Sequence, residues 1–242
     1  LEAVSFCNTH FTHLQHASVT PESCEGIPNA YGLMALTLDG QNYFKNNLVT
    51  VSQISGYSIN DIINDPEKNV LAYAAAYKSV KNALNITSNA IADQLPVLIK
   101  LSELPNETEG QNFALNTQLY GYLQFLSNEN YQLLYGFPKH AIDFAAIFGA
   151  DNYAVLSSTG IKVTDESVSN NNGQQFQAKS LQTSDYGPAI WNAAASCNYS
   201  SRSGTSVSAV TIHTVQGSYA GCISWFQNCS ANVSAHYVIR SS

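Results

Sequence analysis

Residues 58–84, SINDIINDPEKNVLAYAAAYKSVKNAL, set the fold class. Ser58 predicts the cap of a short helix, with Ile59, Ile62 and Ile63 on one face and Asp61 in the first turn, beside the positive end of the helix dipole. Asp65-Pro66-Glu67 predicts the start of a second helix, because proline at the first helical position has no needed N–H to lose. Val70, Leu71, Ala74, Tyr77, Val80, Ala83 and Leu84 then follow helical spacing, and the alanines at 74, 75 and 76 permit a close neighbour. Working outward, residues 89–101 repeat the pattern with Ile91, Leu95, Leu98 and Ile99. Residues 113–126 repeat it again, with Leu115, Leu119, Tyr122, Leu123 and Leu126 on one face.

The character changes further along. Residues 164–183 are polar around Asn170-Asn171-Asn172-Gly173, which predicts a linker. Residues 207–214, VSAVTIHT, alternate as a strand; 219–227 predict an amphipathic helix; 234–239, SAHYVI, predict a second strand. Strand, helix, strand is the start of an α/β unit, and two strands do not close a core alone. The expected class is therefore α+β: a mainly helical unit over 1–163, a linker over 164–183, and the first β-α-β portion of a second unit over 184–242. Completion of that unit is expected from residues beyond Ser242 or from a neighbouring protomer in a homo-oligomer.

Composition narrows the partners. Of 242 residues, 45% are apolar, enough for a sizeable core. Only 11% are charged, against roughly 25% in an average soluble domain. A net charge of −7 with ten Lys and Arg argues against nucleic acid, whose phosphates require clustered cations. No apolar run reaches the ~20 residues of a membrane span. Leu1 opens directly into structured-looking sequence with no signal peptide, so a mature or trimmed product is expected. An uncharged surface with sparse Lys suits an exported protein of the cell envelope, where disulfides form. Cys7 with Cys24 and Cys222 with Cys229 are the simplest pairings of five cysteines, with Cys197 left over, and spacing does not fix the connectivity.

Residues 211–239, TIHTVQGSYAGCISWFQNCSANVSAHYVI, join a hydrophobic strand ending in His-Thr, a Gly-Ser turn, a helix carrying ISWFQN and the run VSAHYVI. In this order they resemble the zinc-dependent N-acetylmuramoyl-L-alanine amidases, which include the peptidoglycan recognition proteins. The resemblance implies cleavage of the amide between muramic acid and L-alanine in peptidoglycan by a Zn2+-activated water. It makes His213, at the strand end, the first zinc ligand, and His236 a residue bordering the substrate. A catalytic zinc requires three protein ligands and an open position, so one His does not hold it. The remaining ligands of the family are expected downstream of Ser242, and this chain alone is expected to be inactive.

Residues 3–11, AVSFCNTHF, the turn Gly32-Leu33-Met34, and Asp65-Pro66-Glu67-Lys68-Asn69 before an Ala-rich helix resemble the lysozyme-like domain of soluble lytic transglycosylases. That family ends its first helix in Glu-Ser-x-Phe, which here becomes Asn8-Thr9-His10-Phe11. Glycosidic cleavage needs a carboxylic acid as proton donor, and an amide is none. The resemblance therefore implies an inactive, glycan-binding module with Asn8 against substrate. A rival alignment uses Glu22-Ser23, keeps the acid, and implies a lytic transglycosylase. A third reading is a non-catalytic peptidoglycan-binding or assembly protein. His10, His13 and His16 recur every third residue, but on a helix they drift about 60° per step and share no ligand face. Tyr120, Tyr122, Tyr131 and Tyr135 are the right side chains to stack on sugars, although helical spacing favours the core.

Overall fold

A computed structural model describes residues 1–16, 27–163, 167–176, 192–200 and 218–239. In chain order its elements are α1 (Glu2–Thr9), β1 (Asn29–Tyr31), β2 (Leu36–Leu38), α2 (Asn47–Ser55), α3 (Ile59–Asn64), α4 (Pro66–Ala83), α5 (Ile91–Leu101) and α6 (Glu109–Ser127). Then come α7 (Glu129–Tyr135), α8 (Phe144–Phe148), α9 (Ala150–Leu156), β3 (Ile161–Val163), β4 (Val168–Asn170), β5 (Gln175–Phe176) and α10 (Tyr219–Phe226). β1 pairs antiparallel with β2, and β3-β4-β5 form a second antiparallel sheet, so the class is α+β.

The quoted stretch folds as its caps dictate. The Ser58 hydroxyl accepts from Asp61 N and opens α3, which buries Ile62 and Ile63. The Asp65 carboxylate accepts from Glu67 N and Lys68 N and opens α4, with Pro66 at its first position. The buried face of α4 differs from the expected one: it is Asn69, Ala72, Tyr73 and Ala76, while Leu71 stays 45% exposed. The reason is polar. The Asn69 carboxamide accepts from Met34 N (2.9 Å) and donates to Ile62 O (3.1 Å), both buried, and that pair of bonds turns the helix inward about Asn69.

α6 opens on a capping box between Thr108 and Gln111 and is buried nearly all round, from Phe113 through Leu119 and Tyr122 to Phe125. Residues expected on one amphipathic face are thus joined by buried residues on the others. A helix buried on most of its sides lies at the centre, and α6 packs against α1, α5, α7, α9 and α10. α10 matches the helix expected over 219–227 but is also embedded rather than amphipathic. Trp225 is fully buried and stacks on Phe44 with centroids 5.7 Å apart, and Tyr43 donates its hydroxyl to Ser224 O at 2.8 Å.

Three other expectations change. Residues 168–170 and 175–176, inside the stretch read as linker, form β4 and β5. The Asn170 carboxamide accepts from Asn172 N and Gln174 N, and Gly173 takes φ +81°, so the Asn-rich centre is a hairpin turn. Val168 and Phe176 are buried, with Phe176 edge-on to Phe113. The disulfide joins Cys197 to Cys229 rather than Cys222 to Cys229. Cys222 lies about 6 Å along the α10 axis before the helix ends, and its side chain is carried into the core. Cys24 falls outside the described residues, so its pairing with Cys7 does too. Residues 234–239 are irregular and largely exposed instead of a strand, because no described strand lies beside them to take their backbone groups. The partner expected over 207–214 is outside the described residues.

Asn69→Ala removes both buried bonds and leaves Met34 N–H and Ile62 C=O unpaired. It is expected to cost about 2–4 kcal/mol, read as a lowered urea midpoint. An unchanged midpoint would show that the carboxamide does not set the face of α4.

Candidate functional site

Asn8 occupies the last turn of α1, half-buried, and accepts a hydrogen bond from the Tyr122 hydroxyl of α6 at 3.2 Å. Burial, with Glu103 and Tyr73 nearby, holds the Tyr122 phenol well above its usual range, so it remains a donor and orients the Asn8 oxygen. The next residue, Thr9, donates its hydroxyl to Ser5 O (2.8 Å) and Leu33 O (2.9 Å), which ties the end of α1 to the Gly32-Leu33-Met34 turn. Gly32 sits at φ +72°, and a side chain there would collide with the Asn69 carboxamide. Asn8-Thr9, Gly32-Leu33-Met34 and Asp65 to Asn69 are far apart in sequence and meet through these bonds. That convergence is the geometry of the site.

After Thr9 the chain takes two consecutive left-handed residues, His10 (φ 50°) and Phe11 (φ 60°). Such conformations cost about 1–3 kcal/mol each for residues other than glycine and persist where their surroundings impose them. His10 thus lies past the helix end, and His13 and His16 follow outside any helix. The His13 ring bonds Ile63 O (3.1 Å) and the His16 ring bonds Ala30 O (2.9 Å), so the spaced histidines serve separate backbone contacts. Among the described residues no three of His, Cys, Asp and Glu converge on a common metal position. His236 is exposed on an irregular segment. Glu22 and His213 both fall outside the described residues.

A carboxyl that periodicity does not find lies two residues beyond α5. Glu103 is 7% exposed, and its Oε1 accepts from the Gln118 amide and the Ser218 hydroxyl, each at 3.0 Å. Ser218 in turn caps α10 by accepting from Gly221 N. Burial pushes the Glu103 carboxyl above its ordinary range, against the pull of these donors and of Lys45. Glu103 lines a cavity of about 20 Å3 with Thr37, Phe44 and Cys222, which is room for one water and none for a sugar. Its role is to join α10 to the helical unit. The signal was a carboxylate placed between Leu101 and Leu104-Pro105, just past the end of a helical pattern. A larger, shallow depression of about 470 Å3 between residues 141–145 and Tyr153 has one ionisable carboxylate, Asp143, which already caps α8.

Over 58 residues the chain is 66% identical to N-acetylmuramoyl-L-alanine amidase A of Achromobacter lyticus. The match covers 24% of this chain and 32% of that protein, so the chain spans about a third of the relative's length. It supports the amidase family. No family model matches, and no solved structure matches. No described helix is long and apolar enough to cross a membrane.

The Glu103 environment yields a pH prediction. Its folded value is raised, so the folded state binds the proton more tightly than the unfolded chain. Stability is therefore full below about 4.3 and falls as pH rises toward the folded value, by at most about 1.4 kcal/mol per pH unit. The urea midpoint of Glu103→Gln, followed from pH 4 to 8, is expected to lack this fall. Parallel curves for the two proteins would remove Glu103 as its source.

Proposed function

We propose that this chain belongs to a peptidoglycan hydrolase that cleaves the amide between muramic acid and L-alanine, with the helical unit binding the glycan strand. The 66% identity over 58 residues carries the first half of this reading. The joining of Asn8-Thr9, Gly32-Leu33-Met34 and Asn69 supports the second, because these are the segments that resemble the lysozyme-like family. With a carboxamide at Asn8, the helical unit has no acid there to protonate a glycosidic oxygen. It binds through hydrogen bonds and positions the polymer.

The proposed zinc ligand within this chain is His213. The described residues form no zinc site of their own, and His236 serves at most as a contact to substrate. Action in the cell envelope agrees with the disulfide between Cys197 and Cys229, which persists in oxidising surroundings.

The test is made on the whole protein that carries this chain. Bound zinc near one equivalent and release of L-alanine-terminated peptides from muropeptides are the expected results. His213→Ala is expected to lose the metal and at least 100-fold in cleavage rate. Muropeptide cleavage by that variant at the normal rate would overturn the assignment.

A further inference from the structure

The disulfide between Cys197 and Cys229 lies at the surface, with both residues exposed. It joins a 3-10 turn over Ser196–Asn198 to another over Cys229–Ala231, just past the end of α10. A second set of contacts joins the same two segments underneath. Ala195 N donates to Phe226 O at 2.8 Å, and the Asn198 carboxamide donates to Phe226 O (3.0 Å) and Asn228 O (2.7 Å). The Asn198 side-chain oxygen accepts from Asn232 N (3.1 Å), and its backbone oxygen accepts from the Ser234 hydroxyl (3.0 Å). Asn198, Ala195 and Ala231 are buried, so water does not compete freely for these bonds.

The two linkages do different work. A crosslink that alone brings distant residues together is required for folding, and its loss opens the structure. Here, among the described residues, five hydrogen bonds hold the same ends without it. Such bonds are weak in net terms, so the clasp closes by itself but also reopens. The disulfide spans a sequence separation of 32, and by the chain-entropy relation its loss makes opening about 10²–10³ times more frequent. Reduction therefore changes how often the clasp opens without removing what closes it.

Access to thiols decides whether such a bond is exchanged. Exposed disulfides are attacked directly and belong to the labile, regulatory class. Cys222, in contrast, is carried into the core by α10 and is out of contact with solvent.

We propose that Cys197–Cys229 is a reversible redox lock on this polar clasp, closed in oxidising surroundings and released by small thiols. Release consumes two molecules of a thiol such as glutathione. The first thiolate attacks one cysteine sulfur and forms a mixed disulfide, while the other cysteine leaves and takes up a proton. The second thiolate attacks the first thiol's sulfur, frees the remaining cysteine to take up a proton, and departs as oxidised glutathione. Two electrons pass from the two thiols to the protein bond. In a reducing compartment the clasp is held by hydrogen bonds alone, and oxidation after export fastens it. Residues 198–228 include His213, so in the proposed hydrolase the lock bears on the stretch that carries it. That consequence rests on the proposed function, and the lock itself does not.

The test uses the full chain in glutathione buffers without denaturant, read by thiol alkylation and amide-resolved hydrogen exchange. Millimolar reduced glutathione is expected to open both cysteines to alkylation. Exchange of the Ala195 and Asn232 amides is expected to quicken at least 100-fold, with α4 and α6 unchanged, and oxidised glutathione to reverse it. Cys197→Ser combined with Cys229→Ser is expected to exchange at the reduced rate in either buffer. Asn198→Ala removes three of the five bonds and is expected to leave the reduced clasp without protection. A bond that resists glutathione until the chain unfolds would overturn the lock. Loss of protection in α4 and α6 on reduction would overturn it as well, by marking a crosslink that the fold requires. Unchanged exchange at Ala195 and Asn232 after complete reduction is the third contrary result. None of these readouts involves metal or cleavage, so failure of the lock is distinct from failure of the hydrolase reading, which His213→Ala tests.

Discussion

The carboxamide of Asn69 lies where three segments of the helical unit must agree. It accepts from Met34 N and donates to Ile62 O, so it links the β1–β2 turn to α3 from within α4. Gly32 is left without a side chain because the same carboxamide occupies the space. Thr9 completes the arrangement by bonding Leu33 O, which brings the end of α1 and hence Asn8 to this turn. A buried polar group is stabilising only when each of its partners is in place. The position of Asn8 therefore depends on one side chain finding both a donor and an acceptor.

Glu103 does the corresponding work between the helical unit and α10. Its carboxyl lies under the cap of α10 and takes the Ser218 hydroxyl and the Gln118 amide on one oxygen. Desolvation opposes its charge while these donors favour it, and the raised value shows which effect is larger. Trp225 on Phe44 and the Tyr43 hydroxyl on Ser224 O add apolar and polar contacts across the same boundary. Residues whose sequence resembles an amidase thus pack directly into the core of the helical unit.

Much of the helical unit was legible because its signals are local. Ser58, Asp65 and Pro66 start helices by satisfying or lacking N–H groups within three residues, and no distant contact is needed for that. The face of α4 was misread because Asn69 counts as polar in any periodicity, although it is the most committed residue on the helix. The Asn170 to Gly173 run was misread for a related reason. Asparagine and glycine are common to linkers and to tight turns, and burial of Val168 and Phe176 separates the two. Glu103 escaped notice because a single carboxylate just past a helix end belongs to no period.

The sequence by itself determined the α+β class, the starts of the main helices, and the likeness to an amidase that one relative supports. These are properties of residue type and near spacing. Tertiary structure alone decided that Cys197 pairs with Cys229, that α10 is enclosed, and that Phe11 and Tyr135 meet edge to face. Each depends on residues well separated in sequence being brought within a few ångströms. Only the packed chain, with its polar groups paired and its apolar surface buried, establishes such distances.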